Sequence, residues 1–256
     1  MANAPNVENY MLGKGVLYLD RLDSSGNHTG ELDLGNAPSF NISLTTEDLP
    51  HRESRSGIKE EDHNVETSLS ASVSFTLDEP NTDNLALAFR ASEPSTTSQG
   101  SGSVAAESAT AKLDKWIALD YRNISNVVIG AYTEDTDYEV DFATGRIKCL
   151  STGSITADEA LTVAYDYSSE TWNIVNGVSN SGAIMAYLRF VGDPEQGTKY
   201  EMEIWRVKLK LSGDVPFISD DWATITFEGK ILKDNANHSS YPWFRLREEG
   251  TSGGGS

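Results

Sequence analysis

The stretch P-S-F-N-I-S-L-T-T-E-D-L-P-H-R-E-S-R-S-G-I-K-E-E-D-H-N-V-E-T-S-L-S-A-S-V-S-F-T-L, Pro38 to Leu77, decides how the chain is read. From Val65 to Leu77 the odd positions hold Val65, Thr67, Leu69, Ala71, Val73, Phe75 and Leu77, while Ser, Thr and Glu fill the even ones. This period-two alternation predicts a strand apolar on one face and hydroxyl-lined on the other. At about 3.3 Å per residue it spans roughly 40 Å. Phe40, Ile42 and Leu44 alternate likewise with Ser39, Asn41, Ser43 and Thr45, so the two segments suit a hairpin. Between them Glu47 to Asn64 reads as a long loop of mixed charge, with Arg52, Arg55 and Lys59 among six carboxylates. Such a loop either reaches something outside its own domain or is a surface insertion.

The run L-G-N-A-P-S-F-N-I-S-L-T-T-E-D-L-P-H-R-E-S-R-S-G-I-K-E-E-D, Leu34 to Asp62, resembles the tail tube (major tail) proteins of long-tailed bacteriophages. The resemblance extends to the strand-like Gly13 to Arg21 and the helix-like segment after Pro80, and weakens toward the C terminus. It rests on the order of the pieces. It implies a tail tube subunit that closes into rings, homo-hexameric in such a family, stacked head-to-tail into a channel for DNA ejection. It also implies contacts with other tail proteins at the tube ends, DNA only in transit, assembly in the bacterial host cytoplasm and a final place in the virion tail.

With 256 residues the chain suffices for one sizeable core or two small domains. A net charge of −19 argues against phosphate-directed nucleic-acid binding, which needs clustered Lys and Arg. The lone cysteine, Cys149, excludes an intrachain disulfide and reads as an inert strand residue. The first residues lack the pattern of a secretory signal, and no apolar run approaches the ~20 residues of a membrane helix, so no membrane segment is expected. Thr251 to Ser256 reads as a flexible tail or a remnant of cloning.

Along the chain, Val16 to Leu19 is a short apolar strand and Ser24 to Gly30 a turn. Leu85, Ala88 and Phe89 repeat at helical spacing after a cap at Asn81 or Thr82, with Asp83 at the helix start and Asn84 toward solvent. Ser92 to Ala111, rich in Ser, Thr, Gly and Ala, reads as a linker. Short strands follow at Trp116–Leu119, Val127–Tyr132, Tyr138–Phe142, Arg146–Leu150 and Leu161–Tyr167, with Gly145 left-handed in a hairpin loop. The expected fold is mainly β. A barrel-like tail tube domain (1–111 and 171–249) carries one short helix and a long projecting hairpin loop, and 112–170 is an inserted antiparallel, immunoglobulin-like β-sandwich. Residues 250–256 form the tail. In the next segment the apolar parity switches from Tyr200, Met202 and Ile204 to Trp205, Val207, Leu209 and Leu211, which predicts a β-bulge or a change of covering face at Ile204 to Arg206.

Motifs for chemistry are sparse. Asp135, Asp137, Glu139 and Asp141 share one strand parity, but nearly 7 Å separates same-face neighbours, too far for a calcium cage, so they read as a solvated stripe. His28, His51, His63 and His238 have no metal-ligand spacing. No nucleophile elbow or phosphate loop is present. The chain therefore reads as a non-enzyme with no catalytic residues, no metal site and no cofactor.

Two sets of residues carry the structural expectation. His51, Arg52, Glu53, Ser54, Arg55, Ser56, Gly57 and Lys59 form an inter-ring contact loop, with Gly57 as a positive-φ tip and His51 alternatively just hydrogen-bonded within the loop. Asn41, Ser43, Thr45, Ser68, Ser70, Ser72 and Ser74 form a lumen lining, or else an ordinary solvent face. The alternative function is a carbohydrate- or cell-surface-binding β-sandwich module, with Trp116, Trp172 or Trp222 as stacking platforms, although all three read as strand residues suited to core packing.

Overall fold

The computed structural model of the protein describes residues 10–55, 57–179 and 182–248. Ser56 of the expected contact loop, the first nine residues and the 250–256 tail lie outside the described residues. The chain is mainly β, with strands β1 (Gly15–Leu22), β2 (His28–Asp33), β3 (Ser39–Arg52) and β4 (Glu61–Leu77), then helix α1 (Thr82–Ala88). Strands β5 (Ser95–Gln99), β6 (Gly102–Thr110), β7 (Trp116–Ala118), β8 (Ile124–Ile129), β9 (Tyr138–Asp141), β10 (Arg146–Cys149), β11 (Ala160–Tyr167) and β12 (Glu170–Ile174) follow. The last four are β13 (Ile184–Gly192), β14 (Tyr200–Leu211), β15 (Ile225–Ile231) and β16 (Phe244–Glu248). Two compact units result: Ser95–Ile174, and the remainder on either side of it.

The inserted unit is larger than expected, because the Ser/Gly-rich 92–111 segment is ordered from Ser95 onward. β5 pairs with β12, and β6 pairs with β11. A strand takes its hydrogen bonds from a neighbour, so Val104 and Ala109 against the core suffice where composition suggests a linker. Two three-stranded antiparallel sheets, β7-β10-β9 and β6-β11-β8, enclose Ile124, Ile129, Ile147, Val163 and Tyr165 in a sandwich-like core. Cys149 is buried there, and burial raises its thiol above the usual range. Gly145 does take the left-handed conformation (φ 68°), and a Cβ there would lie 1.8 Å from the Tyr121 carbonyl oxygen. The acidic stripe is solvated only in part, with Asp135 exposed and Glu139 half-exposed. Asp137 is buried and accepts from the Thr133 and Ser154 amides, Glu139 pairs with Lys148, and Asp141 binds Thr144 and Arg146.

The first unit is an antiparallel sheet in the order β2-β1-β13-β14-β15-β4-β3, with β16 added along the start of β14. Phe40 of β3 stacks on Phe190 of β13 at 5.3 Å, although three strands, β14, β15 and β4, separate them in the sheet. The sheet therefore curls over itself, enclosing Leu17, Leu19, Val73, Phe75, Leu188, Ile204, Val207 and Phe227. Helix α1 closes this core with Leu87 and Ala88. Its cap is Asn81, whose side chain accepts from the Asn84 amide at 2.9 Å. Asn84 itself is fully buried, contrary to expectation, and donates to the Leu34 and Glu79 carbonyls. It satisfies two loop acceptors that packing would otherwise leave unpaired.

The parity switch in β14 is a bulge. Leu188 pairs with Ile204 while Ala186 pairs with Val207, so β14 carries one extra residue at Trp205–Arg206. Met202 and Ile204 before it, and Val207, Leu209 and Leu211 after it, all face one core. Trp205 leaves that series and turns to the opposite face.

Candidate assembly interface

β3 and β4 pair from Ser39↔Thr76 out to Arg52↔Glu61, so most of the expected loop from Glu47 to Asn64 is strand. The turn proper is closed by the Glu53 amide on the Glu60 carbonyl at 2.9 Å. Alternation fails as a signal here because neither face meets a core. Only Ala71–Leu77 of β4 pairs with β15, so Glu61–Ser70 and its partner residues project as a two-stranded ribbon. Such a ribbon alone is marginal in water. Leu69 on it and Leu44 at its root, opposite Ala71, remain 48% and 60% exposed, and Leu49 and Val65 are exposed opposite each other. A bulge in β4 between Glu66 and Ser68 moves Val65 off the face holding Leu69, a slip the clean alternation conceals.

Among the expected contact residues, His51 and Arg52 are the last strand residues, while Glu53, Ser54, Arg55, Gly57 and Lys59 lie in the turn. His51 Nδ1 sits 2.5 Å from Asp62 Oδ1, the local bond weighed above for it. No atom lies within 4 Å of where a Cβ on Gly57 would stand.

The seven hydroxyl and amide residues do converge. Asn41 faces Ser74, Ser43 faces Ser72, Thr45 faces Ser70, and Ser68 lies opposite Glu47. They form an uncharged ladder on the face opposite Phe40, Ile42, Val73 and Phe75. On the neighbouring strand the same face continues into Lys230, Glu228 and Thr226, with Lys210 paired to Glu228 at 2.9 Å. Beyond β3 no strand follows, so its outer edge is open along its length among the described residues.

The outward face of β13 and β14 holds groups that sequence reading missed. Glu203, only 7% exposed, accepts from Arg245 at 2.6 Å and Arg247 at 2.7 Å, and Tyr187 Oη lies 3.3 Å from it. Arg189 links Glu201 and Glu31, tying β2, β13, β14 and β16 together. Burial, then the Glu203 charge, pushes the Tyr187 hydroxyl well above its ordinary range. Trp205 stacks on His238 at 3.6 Å, and His28 meets the Tyr187 ring edge-on at 5.2 Å. Burial works to raise Asp20, but the Thr29 and Gly30 amides and His28 outweigh it and hold the carboxyl below its usual range. Around these groups opens a cleft of about 830 Å³, whose lining includes Leu22, Ala183, Met185 and Trp205 and the carboxylates of Asp23 and Asp234. Arg206, brought to it by the bulge, has its Nε buried with no hydrogen-bond partner among the described residues. The parity switch was the one sequence signal that pointed here.

The three tryptophans differ. Trp116 carries Arg146 and Lys148 over its ring at 5.3 and 5.4 Å, and Trp172 carries Arg122 at 5.9 Å, so neither presents an empty stacking face there. Trp222 is not on a strand. It lies in the β14–β15 connection, 95% exposed, with Phe217 at 74% and Ile218 at 98%.

A family model described as Protein of unknown function UCP028589 matches residues 10–242. The chain belongs to this family. The family match takes in both units, β1 through β15, and ends just before β16. No curated protein matches the chain. Among the described residues no helix is long and apolar enough to cross a membrane, and no group of three His, Cys, Asp or Glu could hold a metal ion.

Proposed function

We propose that this chain is a structural subunit that assembles with copies of itself into stacked rings, the tail tube of a long-tailed phage. The observation that supports it most is the β3–β4 ribbon, which extends beyond the core with both edges open and leucines unburied on it. An isolated molecule gains little from such an element, whereas a neighbour supplies the missing ladder bonds and covers the leucines. In this reading homo-hexameric rings stack head-to-tail, the turn from Glu53 to Glu60 meets the next ring, and other tail proteins cap the ends. The subunits gather in the host cytoplasm and end in the virion tail.

The ladder from Asn41 to Ser74 lines the channel. Its hydroxyls carry no fixed charge, and a subunit of net charge −19 keeps phosphate from adhering, so DNA in transit slides. The test is electron microscopy and sedimentation of the purified protein across a concentration series. Rings or tubes are expected. A monomer at the highest attainable concentration would refute the proposal.

A further inference from the structure

The β14–β15 connection and the cleft beside Trp205 are complementary. Between Ser212 and Thr224 the chain carries Asp214, Asp220 and Asp221 and no basic residue, around the exposed Phe217, Ile218 and Trp222. The cleft is lined by apolar groups that include the adaptable Met185, by Asp23 and Asp234, whose carboxylates are already engaged by the Asn27 and Asn237 side chains, and by Arg206 as the one fixed cation among its described lining residues. The Arg206 Nε is buried with no acceptor, at a cost in free energy, and the half-buried guanidinium that carries it can take a carboxylate in the forked geometry Arg favours. Three large apolar side chains on one short loop likewise mark a surface that a partner covers.

The two features cannot satisfy each other within one molecule as folded. Phe217 packs on Phe89 at the end of α1, on the side of the sheet that forms the core. The cleft lies on the opposite face with Tyr187 and Trp205, and no residue of the loop lines it. We propose that the 212–224 loop of one copy seats in the Trp205–Arg206 cleft of the next, with Trp222 against the apolar lining and Asp220 or Asp221 on the Arg206 guanidinium. The contact joins two different patches, so it repeats from copy to copy without self-closure of a pair. It rests on the self-assembly reading and specifies a partner surface apart from the β3–β4 ribbon.

The test is a charge exchange followed by sedimentation velocity and electron microscopy of the full chain. Arg206→Glu and the double variant Asp220→Lys/Asp221→Lys are each expected to raise the concentration for half-assembly at least tenfold. Combining all three substitutions is expected to recover most of that loss. Circular dichroism and melting of each variant show whether the fold is kept; Arg206→Gln serves if Arg206→Glu does not fold. Wild-type assembly with unchanged assembly of the single-site variants, or no recovery in the combined one, overturns this contact alone. Absence of assembly by the wild type overturns the tube reading and the contact with it.

Discussion

Replacing Leu44 and Leu69 together by serine separates what the ribbon does for one molecule from what it does for an assembly. Full burial of a leucine contributes about 1.5–3 kcal/mol. With 60% and 48% of these residues still exposed, the folded chain has realised only about 1 kcal/mol from each. The variant should therefore melt only a few degrees lower, at ~2–4 °C per kcal/mol for a unit of this size. Covering the remainder in an assembly is worth about 1–2 kcal/mol for Leu44 and about 1 for Leu69. Together these amount to roughly 2–3 kcal/mol, which raises the half-assembly concentration on the order of 30- to 150-fold. Sedimentation velocity over a dilution series measures that midpoint, and differential scanning calorimetry gives the melting temperature. If the variant assembled at the wild-type concentration while melting as expected, the leucines would not be interface residues.

Two further outcomes probe each unit. Glu203→Gln leaves the half-exposed Arg245 and Arg247 short of a shared buried carboxylate; losing such charged hydrogen bonds costs about 1.5–3 kcal/mol, and calorimetry should show the first unit's transition falling while that of the inserted unit stays in place. In the inserted unit the Thr144 hydroxyl, then Arg146, hold Asp141 at about 2. Because the folded pKa lies below the unfolded one, the stabilisation is complete above about pH 4 and is lost as pH falls toward 2. Asp141→Asn should flatten the decline of the melting temperature across that window, and an unchanged slope would contradict the assignment.

The strands facing a core were readable residue by residue. Period-two patterning marked the inner halves of β3 and β4, Leu161 to Tyr167 of β11 and the bulge in β14, since a one-residue slip exposes a whole apolar face. Where no core selects a face, the pattern falls silent. Glu47 to Asn64 reads locally as a loop, and β5 and β6 as a linker, because their order comes from ladder bonds to partner strands. Asn84 was placed in solvent because helical spacing cannot see the two loop carbonyls it reaches.

By itself the sequence determined the β class, the start of the helix at Asn81 or Thr82, the left-handed turn at Gly145 and the alignment of hydroxyls opposite apolar side chains. These depend on local sterics and on one-face burial, which neighbouring residues express directly. Only the tertiary structure decided that the sheet curls until Phe40 meets Phe190, that Trp205 and Arg206 turn outward beside His28 and His238, and that Trp222 stands in the open. Those outcomes depend on contacts between residues tens to more than a hundred positions apart, set by register and closure of the sheet, and no local pattern encodes them.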